Sequence, residues 1–340
     1  VSLRLGIVGA GAMADYHYRR FAGIPGLEIV ACSDHSPEKA AAFAVPRGIG
    51  NVFPDAESMI DSGRIDAVSI ASADIAHAGP ALAALARGLP VFCEKPLARS
   101  LSDAMAMTNA AEASGIPALV NFSKRNGGLL SLARRLVREG ALGRVQEAEF
   151  SYLQSWLIQD SWGDWRSTPR WRWRLDESIS THGALGDLGS HLFDAGLFLL
   201  GDLNAGSCSA VVFDAGAEDR HRVPEHPAFE SFKAVLSGSA KAVVSASFRS
   251  PGDIDAFRLV VRGDAASLSI DFDRSRTSLR VVGVPGTEGD AITASVQPST
   301  YERFAILARG GVDPVVDEGT GFRQGLAVQR LVSRCAELAR

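Results

Sequence analysis

Lys95 sits in the run Val91-Phe92-Cys93-Glu94-Lys95-Pro96-Leu97, and Asp187-Leu188-Gly189-Ser190-His191 follows far downstream. An ammonium can donate to a hydroxyl and stabilise the alkoxide that develops on it. A histidine titrates near neutrality and suits the transfer of that hydroxyl's proton. Asp187, four residues before His191 on a helix, can fix its tautomer or share in holding substrate. Glu94 can orient or tune the lysine and is grouped with the cofactor-binding residues. Each fragment alone has a plainer reading: solvated Lys–Glu pairs are common, and an Asp-x-x-x-His is usually a helix-surface pair. Lys95 precedes proline, which biases it to extended geometry at the end of a strand. Together the residues describe acid–base chemistry at an alcohol carbon.

A third pattern supplies a place for an oxidant. Gly9-Ala10-Gly11-Ala12-Met13-Ala14 follows an apolar strand and opens a helix. Gly9 permits the tight turn, Gly11 lets a pyrophosphate approach the backbone, and Ala14 keeps helix close to sheet. The amides at Ala12 and Met13 then face the phosphates with the helix dipole behind them. Asp34 ends the next strand, where a carboxylate binds the adenosine ribose hydroxyls and repels a 2′-phosphate. That favours NAD; His35 beside it leaves NADP open. The alternative for Asp34 is a cap on the helix at Ser36-Pro37. The set implies hydride transfer between a nicotinamide and a polyhydroxylated small molecule. Asp187 and His191 with His182 or His77 are the nearest thing to a metal set, and the chemistry needs none, so no metal site is expected.

These residues need a scaffold. Residues 1–122 alternate apolar strands with helices: Leu3–Val8, Leu27–Cys32, Ala67–Ala71, Val91–Cys93 and Ala118–Phe122 are the strands. Continuous apolar strands separated by helices predict a doubly wound parallel sheet covered on both faces, a Rossmann domain. Residues 123–340 change character. After an amphipathic helix at Leu129–Glu139 come Gln146–Leu153, Gly206–Phe213, Phe229–Leu236, Ala242–Arg249, Phe257–Gly263 and Ser267–Phe272. Many alternate, and Ser237-Gly238-Ser239 and Gly263-Asp264 read as turns. This predicts a substrate-binding α+β domain with an open, mainly antiparallel sheet, whose bare face suits a subunit interface. Gly186–Leu200 is expected as one helix carrying Asp187 and His191, with Leu188, Leu192, Ala195 and Leu199 on one stripe. Tyr301–Arg309 and Phe322–Leu338 are closing helices, and Pro285–Ala291 is a loop.

The 340 residues suit two domains, and 46% hydrophobic with 22% charged residues suits a globular enzyme. A net charge of −4 argues against nucleic acid or membrane surfaces as partners. No apolar run is long enough to span a bilayer. The four cysteines are widely spaced, with no Cys-x-x-Cys, which is most simply read as a cytoplasmic protein. The first strand begins almost at Val1, leaving no room for a signal peptide in this numbering.

All five tryptophans, Trp156, Trp162, Trp165, Trp171 and Trp173, fall in one stretch before the Asp187 helix. Indole faces pack against the C–H faces of sugar or cyclitol rings, while Gln154, Asp160, Asp164, Arg170 and Arg172 are placed to read hydroxyls. Trp165, Trp171 and Trp173 are the expected stacking residues, with Arg170 at the ring edge. The arginines also suit a sugar acid. The competing reading is an aromatic loop or an oligomer contact.

With these motifs in place, the chain resembles the Gfo/Idh/MocA oxidoreductases, the family of glucose–fructose oxidoreductase and inositol dehydrogenase. The likeness rests on the opening turn, Glu94-Lys95-Pro96, the run Gly183-Ala184-Leu185-Gly186-Asp187-Leu188-Gly189-Ser190-His191, and the stretch from Phe304 to Arg323. It implies a Rossmann domain followed by an open-sheet domain, assembled as homodimers or homotetramers. It also implies that Lys95, Asp187 and His191 form the catalytic set, with histidine as acid/base. Where relatives carry Thr-Pro-Asn before a histidine, this chain has Ser72-Ala73-Asp74 before His77, and Ser72 and His77 are assigned to the cofactor rim. Asn121-Phe122-Ser123-Lys124-Arg125 keeps the basic pair but lacks the proline that usually follows; Asn121 and Arg125 are assigned to substrate. Two alternatives stand beside a sugar or cyclitol dehydrogenase. One is a redox-neutral enzyme with tightly held NAD, hydrolysing glycosides or epimerising by transient oxidation. The other is a catalytically silent cofactor-binding protein.

Overall fold

The computed structural model describes residues 2–126, 128–160, 162–272, 277–283, 297–315 and 319–340. The chain begins β1 (Leu3–Val8), α1 (Ala12–Phe21), β2 (Leu27–Ser33), α2 (Pro37–Ala44), β3 (Asn51–Phe53) and α3 (Ala56–Asp61). Next come β4 (Ala67–Ile70), α4 (Ala78–Ala86), β5 (Val91–Cys93), α5 (Leu101–Ser114) and β6 (Ala118–Val120). It continues through α6 (Leu129–Arg138), β7 (Val145–Leu153), α7 (Pro169–Arg172), α8 (Ala184–Asp187), α9 (Gly189–Leu200), β8 (Leu203–Val212) and α10 (Gly216–Asp219). The strands β9 (Phe229–Gly238), β10 (Lys241–Ser247), β11 (Ala256–Gly263), β12 (Ser267–Phe272) and β13 (Thr277–Val282) precede α11 (Thr300–Ala308) and α12 (Phe322–Leu338).

Two compact units result: 1–123 with 298–329, and 124–297 with 330–340. In the first, six parallel strands run in the order β3-β2-β1-β4-β5-β6, the doubly wound order whose switch point lies between β1 and β4. Every residue of β4 and β5 is buried, as strands covered on both faces require. Helices start where the sequence supplies caps: Ser36 accepts from Lys39 N, Asp55 from Ser58 N, and Ser100 from Asp103 N. On one face Leu3, Leu5, Phe21 and Phe92 pack with Tyr301, Phe304 and Ala305. The sequence placed these closing residues with the second domain, and that boundary is corrected here. Their apolar face completes the first unit's core, and Val120 N donates to Thr320 O at 2.7 Å beside β6.

The second unit is built on a seven-stranded sheet in the order β13-β12-β11-β7-β10-β9-β8. It is mainly antiparallel, yet β7 lies parallel to β10 and antiparallel to β11. α9, buried along nearly its whole length, covers one face. The other face is open. There Arg280, Ser269, Val260, Glu149, Val243, Val235 and Ser207 align in one transverse row across all seven strands. The expected single helix over 186–200 is two segments joined at Leu188. The sequence reading missed β13, and the loop expected at Pro285–Ala291 lies outside the described residues. Among the described residues no helix is long and apolar enough to cross a membrane.

Candidate functional site

Parallel strands bring their carboxyl ends to one edge of the first unit's sheet, so Gly9, Asp34, Ser72, Lys95 and Asn121 all follow strands at that edge. Gly9 has φ of 95°, and a side chain there would meet Ala71 O at 2.9 Å. At Gly11 an added Cβ would meet nothing within 4 Å, leaving the space a pyrophosphate needs. No side chain caps α1, and its first intrahelical bond is Asp15 N to Gly11 O at 3.1 Å. Ala12 is exposed and Met13 half-buried at that open end. Asp34 is part of the turn as well as a candidate ribose ligand. It accepts from Ala10 N at 2.8 Å and Ser36 N at 2.9 Å, with His35 Nδ1 at 3.2 Å. Ser36 itself caps α2, so the cap reading for Asp34 gives way to a turn-bracing one. These residues fit a dinucleotide.

His77 is fully buried, its ring between Pro96 O at 3.0 Å and Ser72 O at 3.2 Å. Such a ring ties the Ser72 turn to the segment after Lys95; it has no exposed surface for a cofactor. Ser72 Oγ donates to Ala76 O at 3.1 Å. The Lys95–Pro96 peptide is cis, and Lys95 is half-buried beside Glu94.

Glu94 is 4% exposed and lies at the centre of a polar network. Its Oε1 accepts from Asn121 Nδ2 at 2.6 Å and faces His17 Nε2 at 2.7 Å, while Oε2 accepts from Lys95 N at 3.2 Å. His17 Nδ1 lies 2.8 Å from Ser69 Oγ. Asn121 also donates to Tyr301 Oη at 2.7 Å and accepts from Thr300 Oγ1 at 3.0 Å. Burial pushes the Glu94 carboxyl up, but the His17 contact, the Lys95 charge and the Asn121 N–H together pull it below its ordinary value. Asn121, expected at the substrate, is thus buried with its amide engaged by Glu94, Tyr301 and Thr300. Sequence reading missed His17, Ser69, Thr300 and Tyr301. One signal was present: Ala14, His17 and Phe21 share α1's buried stripe, and a histidine there needs polar partners.

In the second unit, Gly183 and Gly186 allow α8 to start against its surroundings; a Cβ on Gly186 would lie 2.0 Å from Thr181 O. Asp187 ends α8 and accepts from Arg174 Nε at 2.9 Å. The Arg174 guanidinium stands over the Trp171 and Trp173 rings at 5.0 and 4.5 Å, so both indoles border the Asp187 group. His191 is buried at the start of α9, edge-on to Tyr152 at 5.9 Å. The Tyr152 hydroxyl donates to Asp255 Oδ1 at 2.6 Å, and Gln154 donates to the same oxygen at 3.0 Å. Burial and the Asp255 charge hold the phenol well above its ordinary value, keeping it a donor. Lys124 Nζ lies 3.7 Å from Asp255 Oδ2 and 4.6 Å from the Tyr152 ring centre. Gln154 was expected near substrate hydroxyls and Lys124 belongs to the basic pair read from sequence, whereas Tyr152, Arg174 and Asp255 were not singled out.

Two residues expected at the substrate, Arg125 and Trp165, are buried against protein partners. Arg125 forms a buried two-pronged ion pair with Asp194 at 2.7 and 2.6 Å, its guanidinium over Phe198, and so anchors α9. Trp165 is 2% exposed and packs edge-on to Phe213 at 5.5 Å, leaving no face for a ring. Trp156, 1% exposed, packs at a tilt on Phe248 at 4.8 Å. The Arg170 side chain lies outside what the structure describes. Among the described residues no group of three or more His, Cys, Asp and Glu is gathered for a metal.

Residues 3–122 match the NAD-binding Rossmann fold of the Gfo/Idh/MocA oxidoreductase family, and residues 130–269 match that family's C-terminal domain. The chain belongs to the Gfo/Idh/MocA oxidoreductases, and residues 3–122 are their NAD-binding domain. Levoglucosan dehydrogenase of Pseudarthrobacter phenanthrenivorans is 33% identical over 214 residues, 60% of this chain and 53% of that protein. Inositol 2-dehydrogenase of Acidothermus cellulolyticus is 39% identical over 154 residues, 44% of this chain and 45% of the relative. The chain thus spans about half the length of the curated relatives it matches. The solved structure of levoglucosan dehydrogenase with NADH and levoglucosan superposes with a TM-score of 0.79 at 25% identity, covering 100% of this chain and 97% of that one. The WlbA dehydrogenase of Bordetella pertussis, with NADH and UDP-GlcNAcA, shares the fold at a TM-score of 0.80 and 19% identity, covering 100% of this chain and 97% of that one.

Proposed function

We propose that the protein is an NAD-dependent dehydrogenase of a sugar, a cyclitol or a related sugar acid. The observation that carries this reading is the presence, in a chain of this family, of Lys95 beside a buried ionised Glu94 and of Asp187 and His191 across the α8–α9 junction. NAD, when bound, supplies the hydride acceptor. Gly9, Gly11, Ala12 and Met13 would hold its phosphates, and Asp34 its adenosine ribose, which favours NAD over NADP. Lys95 donates to the reacting hydroxyl and stabilises the negative charge that grows on its oxygen. His191 takes that proton as general base and returns it in the reverse direction. Asp187, held by Arg174, contacts a neighbouring hydroxyl or steadies the histidine. The half-buried indoles of Trp171 and Trp173 meet the apolar face of the ring. The protein acts in the cytoplasm as a homodimer or homotetramer, formed through the open face of the seven-stranded sheet.

The test is NADH formation with glucose, levoglucosan, myo-inositol and their acids, for wild type and His191→Ala. Loss of the histidine should lower turnover by about 10²–10⁴-fold with NAD affinity little changed. Near-native turnover would remove His191 from the mechanism. NAD that stays bound through purification, with no net oxidation of any alcohol, would favour the redox-neutral alternative.

A further inference from the structure

We infer that His17 is a positioning residue for Lys95, acting through Glu94; the inference rests on the reading that Lys95 is catalytic. His17 stands on the helix opened by the cofactor turn, and it is completely buried. Its ring is edged by Phe92 at 5.5 Å, Tyr301 at 5.4 Å and Phe21 at 6.2 Å. Those neighbours would accept an apolar side chain. An imidazole there carries two polar atoms whose burial is unfavourable unless both are paired. Both are: Nδ1 with Ser69 at 2.8 Å, Nε2 with Glu94 at 2.7 Å.

The Glu94 contact reaches the chemistry. His17 and Asn121 occupy Oε1, which fixes the carboxylate plane and leaves Oε2 to take the Lys95 amide N–H. Lys95 therefore leaves β5 with its own main chain tied to a carboxylate that His17 orients. The Lys95 charge also favours the ionised form of Glu94. If the His17 contact is lost, Glu94 loses one of its two side-chain donors, and both the direction and the charge beside Lys95 change. The Ser69 contact reaches none of these groups, so the two ring nitrogens have separable roles.

That separation gives the experiment. In His17→Gln an amide N–H takes the place of Nε2 and can reach Glu94. In His17→Asn the amide falls near Nδ1, within reach of Ser69 but short of Glu94. Turnover, the Michaelis constant, NAD affinity and melting temperature would be measured with whichever of glucose, levoglucosan and myo-inositol the wild type oxidises fastest. Asn should lower kcat by about 10–100-fold, the scale of a small misplacement of a reacting group, with KM and NAD affinity changed less than about threefold. Gln should recover most of the loss. Equal turnover in the two variants, or losses that follow melting temperature alone, would overturn the inference. If neither variant folds, Glu94→Gln replaces them and should show the same loss in kcat. If His17→Asn does fold, adding it to Glu94→Gln should cost nothing further, because the two act in series; multiplied losses would overturn the inference. Lys95→Ala is the control: near-native turnover there would withdraw the catalytic reading itself, whereas an inactive Lys95→Ala beside an unaffected His17→Asn would sink only the role of His17.

Discussion

A carboxylate as deeply enclosed as Glu94 stays ionised only through the donors around it. Its folded value lies below the ordinary 4.5, so its charge favours the fold fully above that pH. The contribution fades as pH falls through the depressed value. Wild-type melting temperature should therefore drop steeply below pH 4.5, while Glu94→Gln starts lower at neutral pH and declines less across the same window. Parallel curves would mean that Glu94 contributes nothing through its charge. Asp34 carries a second residue-scale expectation. Because it accepts from Ala10 N and is the residue proposed to hold the adenosine ribose, Asp34→Ala should weaken NAD binding and narrow its preference over NADP; comparing kcat/KM for the two cofactors is the check. The placement of Gly9, Gly11, Asp34 and Lys95 in the turn and at strand ends was legible because their spacing is local. Contacts were opaque where the partner is distant in sequence. His17 meets Glu94 across 77 positions and Arg125 meets Asp194 across 69, so neither contact could be read from local sequence.

At the scale of elements, the cofactor turn separates folding from binding within three residues. Gly9→Ala forces a side chain into the left-handed region and against Ala71 O, and should lower both melting temperature and NAD affinity. Gly11→Ala meets open space, so it should melt like wild type yet bind NAD poorly. Tight NAD binding by Gly11→Ala, measured by fluorescence titration, would move the phosphates elsewhere. The strands and helices themselves were readable, because apolar runs and alternation record which face of each segment is buried. Pairing was not. The alternation in β7 and β10 is the same whether the two run parallel or antiparallel, and only the chain path through α9, β8 and β9 makes them parallel. The break at Leu188 was hidden for a similar reason. Its backbone stays near helical, so the apolar stripe runs on across it.

For the whole molecule, the open face of the second sheet carries the assembly expectation. Val235 and Val243 lie side by side there, 48% and 47% exposed, with Ser207 and Ser245 next to them and Lys233, Glu149 and Arg280 on the same face. Val243→Asp should reduce the mass measured by light scattering to that of a smaller assembly, with the substituted chain still folded. An unchanged mass would place the interface on another surface. The return of residues 298–329 to the first unit was the large-scale feature least visible in sequence, since helices α11 and α12 announce their amphipathic faces but not which core those faces complete. That return bears on how the protein is made. A ribosome delivers the Rossmann strands early, yet Tyr301, which closes both their apolar face and the Glu94 network, lies 180 positions beyond Asn121. At about 5–20 residues per second the emerging chain waits on the order of ten to forty seconds with that face uncovered. Nascent chains stalled short of Tyr301 should therefore engage chaperones and resist NAD, and those released after α12 should not.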